Sequence, residues 1–223
     1  MVESNGKKST ILTVVLVASL VVLVIFLMRQ YFLWGYCREM SYVDGQEHRV
    51  QCDYADKEKA ADLLADLNSV AEQLIEHLDN KYGDKNNDRG KMTRNLRQRY
   101  RGYERLVETD PNNKINDTSY TLDKGYLVSM CLRKSKDKNL SDFHSKNLLR
   151  FVFVHELTHI AANVQQHPQR FWDAFRWMLS EAVLIGLYQP INYANEPVEY
   201  CANALKVSYS PLYDNSLNDI CCS

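Results

Sequence analysis

The sequence has almost no net charge. Its 27 lysines and arginines nearly balance 28 aspartates and glutamates among 223 residues, which leaves a formal charge of −1. Proteins that bind nucleic acid through its phosphates carry an excess of basic side chains. The chain shows no such global excess, so we expect no specific nucleic-acid partner.

The chain also lacks CxxC spacings, although it contains six cysteines. An even count is typical of disulfides formed in an oxidising compartment, but without CxxC pairs free buried thiols are nearly as well supported. Two acceptor sequons for N-glycosylation begin at Asn116 and Asn139. The cysteines are Cys37, Cys52, Cys131, Cys201, Cys221 and Cys222.

Residues 10–28, TILTVVLVASLVVLVIFLM, contain no charge. As a helix they would extend about 28 Å, close to the hydrocarbon thickness of a bilayer. No small-x-small cleavage site follows the segment, which argues against a removed signal peptide. We therefore expect an uncleaved transmembrane anchor in contact with the lipid bilayer. The chain would be a single-pass membrane protein with its soluble domain C-terminal to the anchor, and the virion membrane is one candidate location.

Hydrophobic periodicity predicts several elements after this segment. Apolar residues at helical spacing indicate an amphipathic helix over residues 57–82, ended by Gly83. Residues 91–106 form a second, basic segment that is helical or mixed. Alternating side chains over 126–133 favour a strand, and a further apolar helix is expected from Pro168 to about Leu187.

The stretch 151–172, FVFVHELTHIAANVQQHPQRFW, carries the HExxH pattern as HELTH. On a helix His155 and His159 lie on one face and can share a zinc ion, and Glu156 can reach a water there. Four apolar residues precede the motif, so the helix should be buried. The pattern predicts metal-assisted hydrolysis of a peptide bond. The alternative is a structural helix whose histidines only hydrogen-bond to neighbours.

A catalytic zinc site needs three protein ligands. His167 is the predicted third ligand, because Asn163 tolerates the left-handed conformation that ends helices and Pro168 suits the start of the next helix. An exposed loop histidine is the alternative. Glu181, a lone carboxylate in an apolar helical run, is the rival third ligand. A role in orienting a ligand histidine, or a structural one, is favoured for it.

Other titratable residues are weaker candidates. We assign neither His77 nor His144 to metal. Tyr200, which lies near Glu196 and Glu199, is a candidate donor to a developing oxyanion, although packing is the commoner role of such a tyrosine.

HELTH followed by a further histidine and an aromatic pair, here HPQRFW, resembles the zincin-type metallopeptidases of the WLM and SprT-like families. More closely, residues 119–209 resemble uncharacterised proteins of large DNA viruses, of the algal-virus type. The resemblance implies His155, His159 and His167 as zinc ligands and Glu156 as general base. It also implies a strand before the zinc helix whose edge can bind an extended substrate.

These observations predict an α+β chain, in which an N-terminal transmembrane helix precedes a mainly helical zincin-like domain with a small sheet. The expected function is a membrane-anchored zinc metallopeptidase acting on protein or peptide substrates, with virion or capsid proteins as further candidate partners. The alternative is a structural virion or membrane protein that keeps the fold without turnover. The predicted boundaries are a polar tail 1–9, the anchor 10–28, a juxtamembrane segment 29–56, the metallopeptidase domain 57–213 and a C-terminal tail 214–223.

Overall fold

A computed structural model describes residues 13–25, 35–113, 118–202, 204–214 and 216. The chain divides into two compact units, Met1–Tyr36 and Cys37–Ser223. In the first unit, residues 13–25 form helix α1. The predicted tail 1–9, Asn116, Cys221 and Cys222 lie outside the described residues.

The predicted transmembrane anchor over residues 10–28 is wrong. Within the described ranges, no helix combines the length and the apolar character needed to cross a membrane. The single-pass location and the virion-membrane location were predicted from this segment and are wrong with it. The flanking residues 10–12 and 26–34 lie outside the described part.

The described residues give an α+β structure with five α-helices and two small sheets. In addition to α1, the helices are α2 (Lys57–Tyr82), α3 (Asp88–Arg99), α4 (Lys146–Ala162) and α5 (Gln169–Leu184), with a short 3-10 helix at Gly102–Arg105. The strands are β1 (Tyr36–Met40), β2 (Glu47–Gln51), β3 (Leu106–Glu108), β4 (Tyr120–Leu122), β5 (Leu127–Met130), β6 (Val198–Tyr200) and β7 (Leu205–Val207).

The larger sheet has the strand order β1-β2-β3-β5-β4. Strand β3 runs parallel to both β2 and β5, whereas β4 pairs antiparallel with β5 in the register Thr121 to Val128. Strand β4 is therefore the outermost strand on one side of this sheet. The second sheet is the antiparallel pair β6 and β7.

Helix α2 confirms the helix predicted over residues 57–82. Its buried face consists mainly of alanine, leucine and valine at helical spacing, which removes one apolar stripe from water. The helix ends before Gly83, whose N–H donates to the carbonyl of Asp79. Helix α3 starts after Asn87, whose side chain accepts from the N–H of Gly90.

Helix α4 lies at the centre of the second unit, in contact with α2, α3, α5, β4 and β5. Ser145 caps its N-terminus by accepting the N–H of Leu148. Asn163 ends it in the left-handed conformation with φ 58°, which confirms that prediction. Because almost every side chain from Leu148 to Ala162 is buried, the helix is fixed on all sides.

The β4–β5 hairpin differs from the single strand predicted over 126–133. Asp123, Lys124 and Gly125 all have positive φ values, and this turn adds β4 ahead of β5. A Cβ at Gly125 would lie 3.1 Å from Ile160 of α4 and 3.2 Å from the carbonyl oxygen of Arg99. The missing side chain thus lets the hairpin turn pack directly on α4.

Two disulfides link cysteines whose pairing was not predicted from the sequence. Cys37, within β1, bonds to Cys52, just after β2. Cys131, just after β5, bonds to Cys201, just after β6. The second bond ties the small β6–β7 sheet to the larger one across 70 residues of sequence.

Candidate metal centre

Helix α4 places His155 and His159 one turn apart on the same face. Their Nε2 atoms lie 3.2 Å from each other. His155 is 8% exposed and its ring packs against Phe171 and Phe175, with ring centroids 4.8 and 5.2 Å away. Both imidazoles are therefore held in fixed positions by the core around α4 and α5.

His167 reaches the same point from the turn that follows α4. After Asn163 reverses the chain, His159 Nδ1 donates to the carbonyl oxygen of Val164 at 3.0 Å. His167 Nε2 then lies 3.0 Å from His155 Nε2. The ligand atoms of the three histidines all lie within 4.8 Å of one another. The structure thus brings together the three residues predicted as zinc ligands.

The proton positions on these rings fit a bound cation. A carbonyl oxygen only accepts hydrogen bonds, so neutral His159 carries its proton on Nδ1 and turns a lone pair towards the cluster. His155 Nε2 contacts the Nε2 atoms of both other histidines. A proton on His155 Nε2 could form a hydrogen bond to only one of them, whereas a cation can bind all three nitrogens. Tetrahedral zinc holds imidazole nitrogens at about 2.0–2.1 Å, so that two ligand atoms lie about 3.3 Å apart. This donor set fits a zinc ion.

The acidities of the rings favour the same state. Burial, followed by the neighbouring His159 and His167, lowers the pKa of His155 well below its usual range. Burial and the neighbouring His167 also lower the pKa of His159 to about 4. Both rings are therefore neutral at pH 7, and neutral imidazole is the form that binds metal.

Glu156 adjoins the cluster as a buried carboxyl group with one strong donor. It is 4% exposed, and the hydroxyl of Thr121 donates to its Oε2 at 2.8 Å. Burial raises the pKa of Glu156 to about 7, and the Thr121 hydrogen bond opposes this only in part. A carboxyl group that titrates near neutrality is suited to general acid–base chemistry.

A cleft of about 450 Å³ opens beside these groups. The three histidines and Glu156 line it on one side, β4 with the turn that follows it lines another, and the β6–β7 segment supplies Tyr200, Leu205 and Val207. The Cys131–Cys201 disulfide holds this last wall in place. All the groups predicted for metal binding and base catalysis thus face one cleft.

Two residues of the site, Thr121 and Tyr209, were not singled out from the sequence. Thr121 was not singled out, because a threonine in a strand carries no signal of its own. Tyr209 was not singled out either, yet its hydroxyl lies 3.2 Å from His155 Nδ1. Tyr200, the earlier oxyanion candidate, lines the cleft, but its hydroxyl is 2.6 Å from Ser119 Oγ.

Glu181 does not join the histidines, so the structure favours neither its role as third ligand nor its role as their orienting acceptor. It lies between α5 and α2, where Lys81 donates to both of its oxygens at 3.0 and 2.8 Å. The Tyr82 hydroxyl donates to Oε1, and His77 Nε2 lies 2.7 Å from Oε2. His144 is also elsewhere, since its Nε2 accepts the N–H of Cys201 at 3.1 Å.

Comparisons with known proteins give only partial likenesses. No protein-family model matches the chain. An uncharacterised protein of Acanthamoeba polyphaga mimivirus is 34% identical over 96 residues, which is 43% of this chain and 46% of that protein. An uncharacterised protein of Invertebrate iridescent virus 6 is 35% identical over 72 residues, or 31% of this chain and 38% of the relative. One from Invertebrate iridescent virus 3 is 33% identical over 72 residues, or 32% and 43%.

These matches span less than half the length of the curated viral relatives. The predicted likeness to uncharacterised proteins of large DNA viruses is confirmed, although none of these three comes from a virus named for algae. The crystal structure of a Wss1 mutant from S. pombe aligns with a TM-score of 0.35 and 20% identity, covering 66% of this chain and 98% of that one. This likeness is too weak to assign a fold or an activity.

Proposed function

We propose that the chain is a zinc-dependent peptidase similar to the WLM and SprT-like zincins, with His155, His159 and His167 as metal ligands and Glu156 as general base. The convergence of three imidazole nitrogens beside a buried carboxyl group, in one open cleft, carries the proposal. A bound zinc ion supplies Lewis-acid activation of water and of a carbonyl oxygen.

Residues of the chain orient the metal ligands and the general base and transfer the proton. The carbonyl of Val164 holds the proton of His159 on Nδ1 and so keeps Nε2 free as a ligand atom. Glu156 takes up a proton from water and returns it to the leaving amine, which its pKa of about 7 permits at neutral pH. The Thr121 hydroxyl fixes the direction of the Glu156 carboxylate through Oε2.

Strand β4 is the expected binding surface for a peptide. It is the outermost strand on one side of the larger sheet and lines the cleft from Tyr120 to Leu122. An extended peptide can add to such an edge through main-chain hydrogen bonds. Thr121 lies on this strand and contacts Glu156, so a peptide on β4 would lie beside the general base.

A structural protein that keeps a zincin-like fold without turnover would fill or bury the position facing the histidines. The 450 Å³ cleft beside them supports an enzyme instead, because it leaves room for water and a peptide.

Zinc content and peptide cleavage of the purified full-length chain test the proposal. We expect one zinc per chain in the wild type and in His77→Ala, but a loss of zinc in His159→Ala, because only His159 belongs to the cluster. Incubation of the zinc-loaded wild type with a proteome-derived peptide library should generate new N-termini, detected by mass spectrometry. A wild-type chain that binds no stoichiometric zinc would overturn the proposal.

A further inference from the structure

A tyrosine in the segment after β7 contacts one histidine of the cluster at the ring nitrogen that does not face the other two histidines. The Tyr209 hydroxyl oxygen lies 3.2 Å from His155 Nδ1, whereas the Nε2 of the same ring faces His159 and His167. We propose that Tyr209 positions His155 as a metal ligand by accepting the Nδ1 proton, so that the Nε2 lone pair is left for the ion. This inference rests on the proposed zinc site.

The surroundings of His155 explain why this contact matters. Apart from its histidine neighbours, the ring packs on the apolar rings of Phe171 and Phe175, and its side chain is almost completely buried. A neutral imidazole carries its proton on either nitrogen, and only the Nδ1–H form presents a lone pair at Nε2. A phenol can donate or accept a hydrogen bond, and as an acceptor from Nδ1 it stabilises this form. With the proton on Nε2 instead, His155 could not bind a cation beside the other two ligands.

The packing around Tyr209 fixes its hydroxyl in place. Its ring contacts Trp172 edge-on, with centroids 5.4 Å apart, and it also packs on Phe151 at 5.7 Å. The next residue, Ser210, accepts the N–H of Tyr193 at 2.8 Å. Arg176 of α5 donates to the carbonyl of Pro211 at 2.6 Å. The two residues that follow the tyrosine are thus anchored.

His155 and His159 therefore share one arrangement built from different groups. Each has an oxygen acceptor at Nδ1, but the acceptor of His159 is the main-chain carbonyl of Val164 and that of His155 is the side chain of Tyr209. A side-chain acceptor can be removed by substitution. Partners of this kind typically change metal affinity by about 10–100-fold when they are removed.

Zinc affinity of the full-length chain, measured by competition with a chromophoric chelator, tests the inference. We expect Tyr209→Phe to bind zinc about 10–100-fold more weakly than the wild type while keeping one site per chain at saturation. The matched control is Tyr100→Phe, which also loses a phenol hydrogen bond, at 2.9 Å to Asn68, but not one to a histidine. Its zinc affinity should equal that of the wild type.

The tautomer of His155 provides a second readout that needs neither metal nor a substitution. In the metal-free, ¹⁵N-histidine-labelled wild type, nitrogen chemical shifts should place the proton of His155 on Nδ1. A proton on Nε2 would overturn the role of Tyr209. If the wild type binds zinc and Tyr209→Phe binds it equally tightly, the role of Tyr209 is also overturned. If the wild type itself binds no zinc, the proposed function fails and this role fails with it.

Discussion

Glu156 and Glu181 are buried to nearly the same extent, 4% and 6% exposed, yet their acidities move in opposite directions. Burial raises the pKa of Glu156 to about 7, opposed only by the hydrogen bond from Thr121. Burial acts in the same direction on Glu181, but hydrogen bonds from three side chains of α2 outweigh it and hold the pKa at about 2. These three are Lys81, Tyr82 and His77.

The difference shows that partners, rather than burial alone, decide what a buried carboxylate does. Glu156 has one neutral donor and stays able to exchange a proton near neutral pH, which suits catalysis. Glu181 has a cationic donor and a phenol, stays ionised, and ties α5 to α2. We therefore expect substitutions of the two glutamates to separate activity from stability.

Glu156→Gln should give the largest effect. Glutamine keeps the shape of the side chain and an oxygen for the Thr121 hydroxyl but cannot accept the proton, so peptide cleavage should fall by about 10²–10⁴-fold. Zinc content and the unfolding midpoint should stay near wild-type values. Cleavage per bound zinc is the measurement, and Glu181→Gln is the control, expected to cleave within about twofold of the wild type. Equal cleavage by the wild type and Glu156→Gln would show that Glu156 is not the general base.

Glu181→Gln should cost stability instead. The substitution removes the negative charge from a side chain with ionic and phenolic donors, and we expect unfolding free energy at pH 7 to fall by roughly 2–3 kcal/mol. Urea denaturation followed by circular dichroism measures it. Glu156→Gln serves as the control. It should lose much less unfolding free energy, because the fold does not stabilise the charged form of Glu156. Identical midpoints for Glu181→Gln and wild type would contradict this assignment.

The stability gained from Glu181 should depend on pH in a defined window. Its pKa in the folded chain, about 2, lies below the ordinary value of 4.5. The contribution is therefore complete above about pH 5 and is lost as the pH falls towards 2. Between pH 5 and pH 3 the difference in unfolding free energy between wild type and Glu181→Gln should shrink by about 2 kcal/mol. A difference that is constant over this range would show that Glu181 acts through packing rather than charge.

Thr121→Val should have the smallest effect. It removes the donor to Glu156 Oε2 without changing side-chain shape, so kcat should fall by roughly tenfold, about 1.4 kcal/mol, with little change in KM. Thr93→Val is the control, because the Thr93 hydroxyl is also a hydrogen-bond donor, but to the Arg89 carbonyl within α3. A similar loss of kcat in both variants would mean that the Thr121 contact does not orient the base.

Local patterns predicted the elements that contain the site. The apolar spacing of residues 57–82 predicted α2 with its observed bounds. HELTH with Asn163 and Pro168 predicted helix α4, its end and the return of the chain. These features depend on neighbours within a few residues, which is the range over which sequence periodicity and capping signals act.

Contacts between distant parts of the chain could not be predicted in the same way. The partners of Glu181 on α2 lie 99 to 104 residues away in sequence, and Tyr209 lies 54 residues from His155. Nothing local distinguishes these residues from other buried polar side chains. The anchor predicted over residues 10–28 is a different case, since no helix in the described part of the chain is long and apolar enough to cross a membrane.

Removal and return of the metal test the central claim most directly. The cleavage rate of the full-length chain would be measured after chelation and again after addition of one equivalent of zinc. We predict that cleavage falls to background without zinc and returns with it, because the three histidines and Glu156 act on one ion. Cleavage that persists in a chain shown to contain no metal, or a zinc-loaded chain that cleaves no peptide, would contradict the account.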